Sequence, residues 1–186
     1  MDDNMIISLY WERSESAISE TAGKYGDYCT KIAMNILHNQ EDSEECVNDT
    51  YLNTWNAIPT QRPAILMAFL GRITRNLSLD KYKKRGAQKR GGDEIELLLS
   101  ELADCIPSDS DIEAEYEAGS TAEIIDDFLY TLNAEHRIIF MRRYWYADSI
   151  ASIAERFTIG ESKVKSMLFR TRNKLKTYLE KEGVQI

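Results

Sequence analysis

The sequence is short of chain breakers, with three prolines and nine glycines in 186 residues. So few interruptions leave room for long helices. No apolar run approaches the roughly 20 residues needed to span a bilayer, so no membrane insertion is expected. The opening residues, "MDDNMIISLYWERSES", lack a basic segment ahead of an apolar core and do not read as a secretory signal. Cysteine is scarce, odd in number and widely spaced: Cys29, Cys46 and Cys105 form no CxxC pair and no zinc pattern. They read as small hydrophobes in a reduced, cytoplasmic protein. The two histidines, His38 and His136, stand far apart. With no glycine-rich phosphate loop, metal-ligand cluster or nucleophile elbow, the chain offers no catalytic residues, no metal site and no cofactor site, and it does not read as an enzyme.

Positive charge is also in short supply overall, but it is unevenly placed. The formal net charge is −8, which by itself argues against a polyanion as partner. Yet Lys81, Lys83, Lys84, Arg85, Lys89 and Arg90 crowd into ten positions. The compensating excess lies in residues 91–119, "GGDEIELLLSELADCIPSDSDIEAEYEAG", with ten acidic residues and no basic one. That stretch carries −10, so the remainder carries −8 − (−10) = +2. The distribution matters more than the sum. The acidic stretch reads as a linker with one or two helical turns around Ile95 to Leu102. Its carboxylates suit a basic channel on a partner, or the chain's own basic helices.

The rest of the chain shows helical periodicity and no strand-like alternation. Tyr25, Tyr28, Cys29, Ile32, Ala33 and Ile36 recur at spacings of three and four, and Cys46, Val47, Tyr51, Leu52 and Trp55 resume the pattern. Asp42 or Ser43 is the expected cap of that second helix. Pro59 and Pro63 break the chain, and a third helix begins near Ala64 and ends around Gly86. Its expected buried stripe is Leu66, Phe69, Leu70, Ile73 and Leu77. Downstream, Ile124, Ile125, Phe128 and Leu129 mark one helix, and residues 134–145 another with Ile138, Ile139 and Met141 inward. The expected architecture is all-α: a helical domain over residues 1–90, an acidic linker over 91–119 and a second helical domain over 120–186.

The segment "DSIASIAERFTIGESKVKSMLFRTRNKLK", residues 148–176, has the spacing of a helix-turn-helix. Ile150, Ile153, Ala154 and Phe157 line a short helix, and Val164, Met167, Leu168 and Leu175 a longer one. Thr158 occupies the turn position where a glycine with positive φ is common, and Gly160 is expected to absorb the bend. The outer face of the longer helix carries Lys163, Ser166, Arg170 and Lys174, flanked by Lys165, Arg172 and Lys176. Such a helix fits the DNA major groove with its first residues nearest the base edges. Glu161, Ser162, Lys163, Lys165 and Ser166 lie there, while Arg170, Arg172 and Lys174 suit phosphates.

Taken together, these motifs resemble the bacterial extracytoplasmic-function (ECF) sigma factors, the smallest members of the sigma-70 family. "EDSEECVNDTYLNTWN" is similar to the region 2 helix that docks on RNA polymerase. "FLGRITRNLSLDKYKKR" is similar to the helix after it, with Leu70, Ile73, Arg75, Asn76 and Asp80 on the family pattern. "LNAEHRIIFMRRYWYADSIASIAERFTIGESKVKSMLFRTRNKLK" is similar to region 4. Lys163 stands where the family often has threonine before the valine.

The resemblance implies a protein that binds core RNA polymerase and directs it to promoter DNA. Region 2 would meet the clamp and melt the −10 element; region 4 would meet the flap and read the −35 element. It implies polymerase contacts at Glu44, Glu45, Asn48, Asp49, Tyr51, Leu52 and Trp55. For the −10 DNA it implies Asn56, Ile58, Arg62, Arg72, Arg75, Asn76, Lys81, Lys84 and Arg85. An anti-sigma factor is a further partner the family suggests. Two other classes compete: a polymerase-independent helix-turn-helix regulator with an N-terminal helical sensor or dimerisation domain, and a protein-interaction module that sequesters another factor. A sensor domain has no reason to carry the "FLGRITRNLSLD" helix with bases behind it.

Overall fold

The computed structural model describes residues 1–86, 94–106 and 114–184. Lys89, Arg90 and Pro107 lie outside the described residues. The chain divides into two compact units, Met1–Gly91 and Gly92–Ile186, and all regular structure among the described residues is helical.

In the first unit α1 (Asp3–Trp11) packs on α2 (Ser16–Leu37), and α2 packs on both α3 (Gln40–Ala57) and α4 (Leu66–Gly86). Ile32, Ala33, Ile36, Cys29, Cys46, Ile58, Leu66 and Leu70 form the core between them. Two details of register differ from the sequence reading. Asn39, rather than Asp42 or Ser43, caps α3, its side chain accepting from the Asp42 amide at 2.9 Å. On α4 the face turned fully inward includes Thr74 and Ser78, while Ile73 and Leu77 are only half-buried. The cause is hydroxyl chemistry. Thr50 and Thr54 on α3 and Thr74 and Ser78 on α4 each donate to the carbonyl four residues back, and Thr50 Oγ1 lies 3.1 Å from Thr74 Oγ1. Polar groups satisfied within their own helices can be buried at little cost, and their small size suits a close α3–α4 approach.

The second unit comprises α5 (Glu94–Ala103), α6 (Ala114–Thr131), α7 (Ala134–Tyr144), α8 (Ile150–Phe157) and α9 (Glu161–Lys181). Asn133 caps α7 and Ser149 caps α8 through their side-chain oxygens. On α7 the inward residues are Ile139 and Phe140, with Ile138 exposed. Val164, Met167, Leu168 and Leu175 of α9 are buried against Ile150, Ile153 and Ala154 of α8, as the spacing requires. α5 differs most from expectation. It is a ten-residue helix belonging to the second unit, packed on α7 with Ile95 and Leu98 buried.

The turn between α8 and α9 is also resolved differently. Thr158 itself takes the left-handed conformation, with φ 53° and ψ 44°, and closes α8 with hydrogen bonds to Ala154 and Glu155. Gly160 sits at an ordinary extended φ of −70°. A β-branched residue at positive φ costs more than glycine would. The variant Thr158→Gly should therefore stabilise the turn by about 0.5–1 kcal/mol, after allowing for glycine's freedom in the unfolded chain. Amide hydrogen exchange across α8 is the measurement, with slowing of about two- to fivefold expected.

Candidate nucleic-acid and polymerase interfaces

On α3, Glu44, Glu45, Asn48, Asp49 and Leu52 share an open face; Leu52 is 56% exposed. Spacings of three and four place them side by side on one helix. Tyr51 is turned the other way and buried in the unit, so it supports this face from within and presents no docking surface. Trp55 is half-buried and held in place. Its ring packs edge-on to Tyr10, Arg13 lies 5.1 Å above it, and Arg13 Nη1 donates to its carbonyl at 2.7 Å.

The second set of unit 1 divides in a similar way. Asn56, Arg62, Arg72, Asn76, Lys84 and Arg85 are exposed, and Arg75 and Lys81 are half-buried. Ile58 is fully buried. As an apolar side chain at the end of α3 it anchors the 58–65 loop into the core, and it is not available to DNA. Sequence spacing missed a further feature: the basic end of α4 is paired with α3. Lys81 Nζ is 3.1 Å from Asp42 Oδ1 and 2.6 Å from Glu45 Oε2, and Arg85 Nη1 pairs with Asp42 Oδ2.

In unit 2 the outer face of α9 exposes Glu161, Ser162, Lys163, Lys165, Ser166, Arg170 and Lys174. Two cations have nearby carboxylates: Lys163 lies 3.9 Å from Glu135, and Lys165 lies 3.8 Å from Glu161. Exposed pairs of this kind are weak and readily exchanged. Arg172, expected at phosphates, points inward instead, with its side chain only 16% exposed. Its Nη1 donates to the Tyr144 hydroxyl at 2.6 Å and lies 3.5 Å from Glu101 Oε1.

This contact belongs to a network that centres on Arg143, among the largest fully buried side chains of the described residues. Arg143 Nη1 donates to Glu94 Oε1 at 3.0 Å and to the Asp148 carbonyl at 3.2 Å, and Nε lies 3.6 Å from Glu101 Oε2. Glu94 Oε1 also accepts from the Ile150 amide in the first turn of α8. Tyr144 donates to Glu101 Oε2 at 3.0 Å, and burial together with that carboxylate pushes its phenol pKa up. Part of the acidic stretch therefore folds back on the chain's own cations. The signal was available: Arg143 follows Ile139 and Phe140 at helical spacing, which puts a cation on the buried stripe.

Comparison with known proteins places the chain in a family. Residues 22–88 match the family described as Sigma-70 region 2, and residues 128–177 match Sigma-70, region 4. ECF RNA polymerase sigma factor SigL of Mycobacterium tuberculosis is 30% identical over 158 residues, covering 83% of this chain and 84% of SigL. The chain belongs to the ECF sigma factors. ECF RNA polymerase sigma factor SigE of Mycolicibacterium smegmatis is 24% identical over 165 residues, covering 88% of this chain, and the chain spans 62% of SigE's length. The solved structure of CnrH in complex with the cytosolic domain of CnrY aligns with a TM-score of 0.45 at 18% identity, over 96% of this chain and 97% of that one. No helix among the described residues of this sigma factor is long and apolar enough to cross a membrane. α5 lies outside both matched ranges.

Removing one side of a buried ion pair strands the other. The double variant Glu94→Gln with Glu101→Gln should lower the stability of unit 2 by about 3 kcal/mol. Calorimetry of the full chain should show it as a depressed transition for that unit. Adding Arg143→Met should recover much of the loss, because no buried charge then remains to be neutralised.

Proposed function

We propose that this sigma factor directs promoter-specific transcription by dividing its contacts among the three surfaces described. The α3 face of Glu44, Glu45, Asn48, Asp49 and Leu52, with Trp55 beside it, docks on the polymerase clamp. An acidic rim around an exposed apolar residue and a fixed tryptophan has the composition of a protein-binding patch. Asn56, Arg62, Arg72, Arg75, Asn76 and Lys84 engage the −10 element. Melting there needs no bond chemistry: a base must be unstacked at a cost of about a few kcal/mol, offset by a pocket and phosphate contacts. Ile58 holds that loop in place from the core.

In this reading α9 enters the major groove at the −35 element. The observation that carries it is the division of α9 into two faces. Val164, Met167, Leu168 and Leu175 are buried, while Ser162, Lys163, Ser166 and Arg170 are open and lead with the helix's first turns. Ser166 and Lys163 read base edges, and Arg170 and Lys174 hold phosphates. The chemistry of RNA synthesis belongs to the polymerase, and this chain supplies binding in the compartment where polymerase works, the cytoplasm.

Run-off transcription with core polymerase on genomic promoters, with and without this protein, is the direct test, and new start sites are expected. An absence of new starts would favour a polymerase-independent regulator. In a separate co-elution assay, Leu52→Asp should cut recovery with core by about tenfold or more, as for a residue at the centre of a patch. Arg170→Ala should weaken −35 binding to all sequences alike and reduce the salt slope by about 1. Ser166→Ala should instead change the base preference.

A further inference from the structure

The ion pairs between α3 and α4 join two surfaces to which the proposed function gives different partners. Lys81 is only 22% exposed and lies within reach of Asp42 and Glu45, while Arg85 shares Asp42 with it. Asp42 is itself 18% exposed, so its carboxylate is turned toward these cations and away from water. It belongs to the first turn of α3, and Lys81 and Arg85 are separated by one turn of α4. One carboxylate thus sits against two cations of the basic cluster. A phosphate that approaches either cation meets the charge of Asp42, and at Lys81 that of Glu45 as well.

We infer that Asp42 is a positioning residue that restrains Lys81 and Arg85, so that the free sigma factor holds these two cations away from DNA. The inference rests on the proposed division of surfaces, since Glu45 lies on the polymerase-docking face. A polymerase cation that takes Glu45 loosens Lys81, and a phosphate can then compete for it. Each exposed or half-exposed pair is worth little alone, which makes the restraint strong enough to bias weak non-specific binding and weak enough to yield in the complex. Whereas Arg143 is itself fully buried, here one of the cations, Arg85, is open to solvent, as is Glu45.

The test measures binding of the full chain, without polymerase, to a fluorescent single-stranded DNA of mixed sequence across a salt series. Asp42→Asn should bind about three- to tenfold tighter at low salt, with a log–log salt slope steeper by about 1, as expected when up to two cations are freed at about 0.7 each. Asp42→Glu should behave as the unmodified chain. In a Lys81→Gln, Arg85→Gln background the Asp42→Asn gain should vanish. A gain that persists there would reduce the effect to the loss of one negative charge and overturn the inference, as would unchanged affinity in a variant whose melting temperature is unchanged. Should Asp42→Asn unfold, the cycle is run with Asp42→Ser under the same criteria. Co-elution with core polymerase is scored separately. If co-elution fails while the Asp42 effect holds, the docking reading falls and the restraint stands; the reverse pattern removes the restraint alone.

Discussion

A cation taken out of water must meet a carboxylate, and this constraint shapes both units. Arg143 has no solvent contact at all, and a lone guanidinium in that position would cost several kcal/mol. The protein meets the cost with Glu94 and Glu101 from α5. Because Glu94 also accepts from the α8 backbone, one carboxylate fixes α5, α7 and the start of the helix-turn-helix together. The helix-turn-helix is thereby positioned by a segment whose composition looks like that of a tether.

The same rule acts more weakly in unit 1. There Asp42 and Glu45 face Lys81 and Arg85 at the junction of α3 and α4, where water still reaches part of the network. A sigma factor has to carry concentrated positive charge for a polyanion and yet stay unattached until polymerase is present. In the proposed reading, neutralising cations internally, with carboxylates that a partner can displace, serves both needs. Arg170 and Lys174 on α9 are exposed instead, which suits the phosphate contacts proposed for them.

Where sequence reasoning and structure part company, the cause is usually a side chain with two characters. Tyr51 and Ile58 lie in segments that look like surface by resemblance, and both are core because their large apolar bodies have neighbours to bury against. Thr74 and Ser78 look polar and are buried because each donates to its own helix. Arg172 looks like a phosphate ligand and is drawn inward by Tyr144 and Glu101. Thr158 accepts a left-handed backbone that its side chain disfavours, because the packing of α8 on α9 determines where the chain must turn.

Periodicity, breakers and motif order were enough to determine helix type, the helix-turn-helix with its buried and open faces, and membership of the sigma family. These are local or pattern-level properties, set by which residues recur at spacings of three and four. The partners of each charge were decided only by tertiary structure. Ion pairing joins residues far apart in sequence, 49 positions for Glu94 and Arg143 and further still for Glu101 and Arg172, and no local pattern records such a distance. Hence the acidic stretch could be counted from sequence, but its role as a clamp on Arg143 required the fold, since only packing brings a carboxylate to a cation that has lost its water.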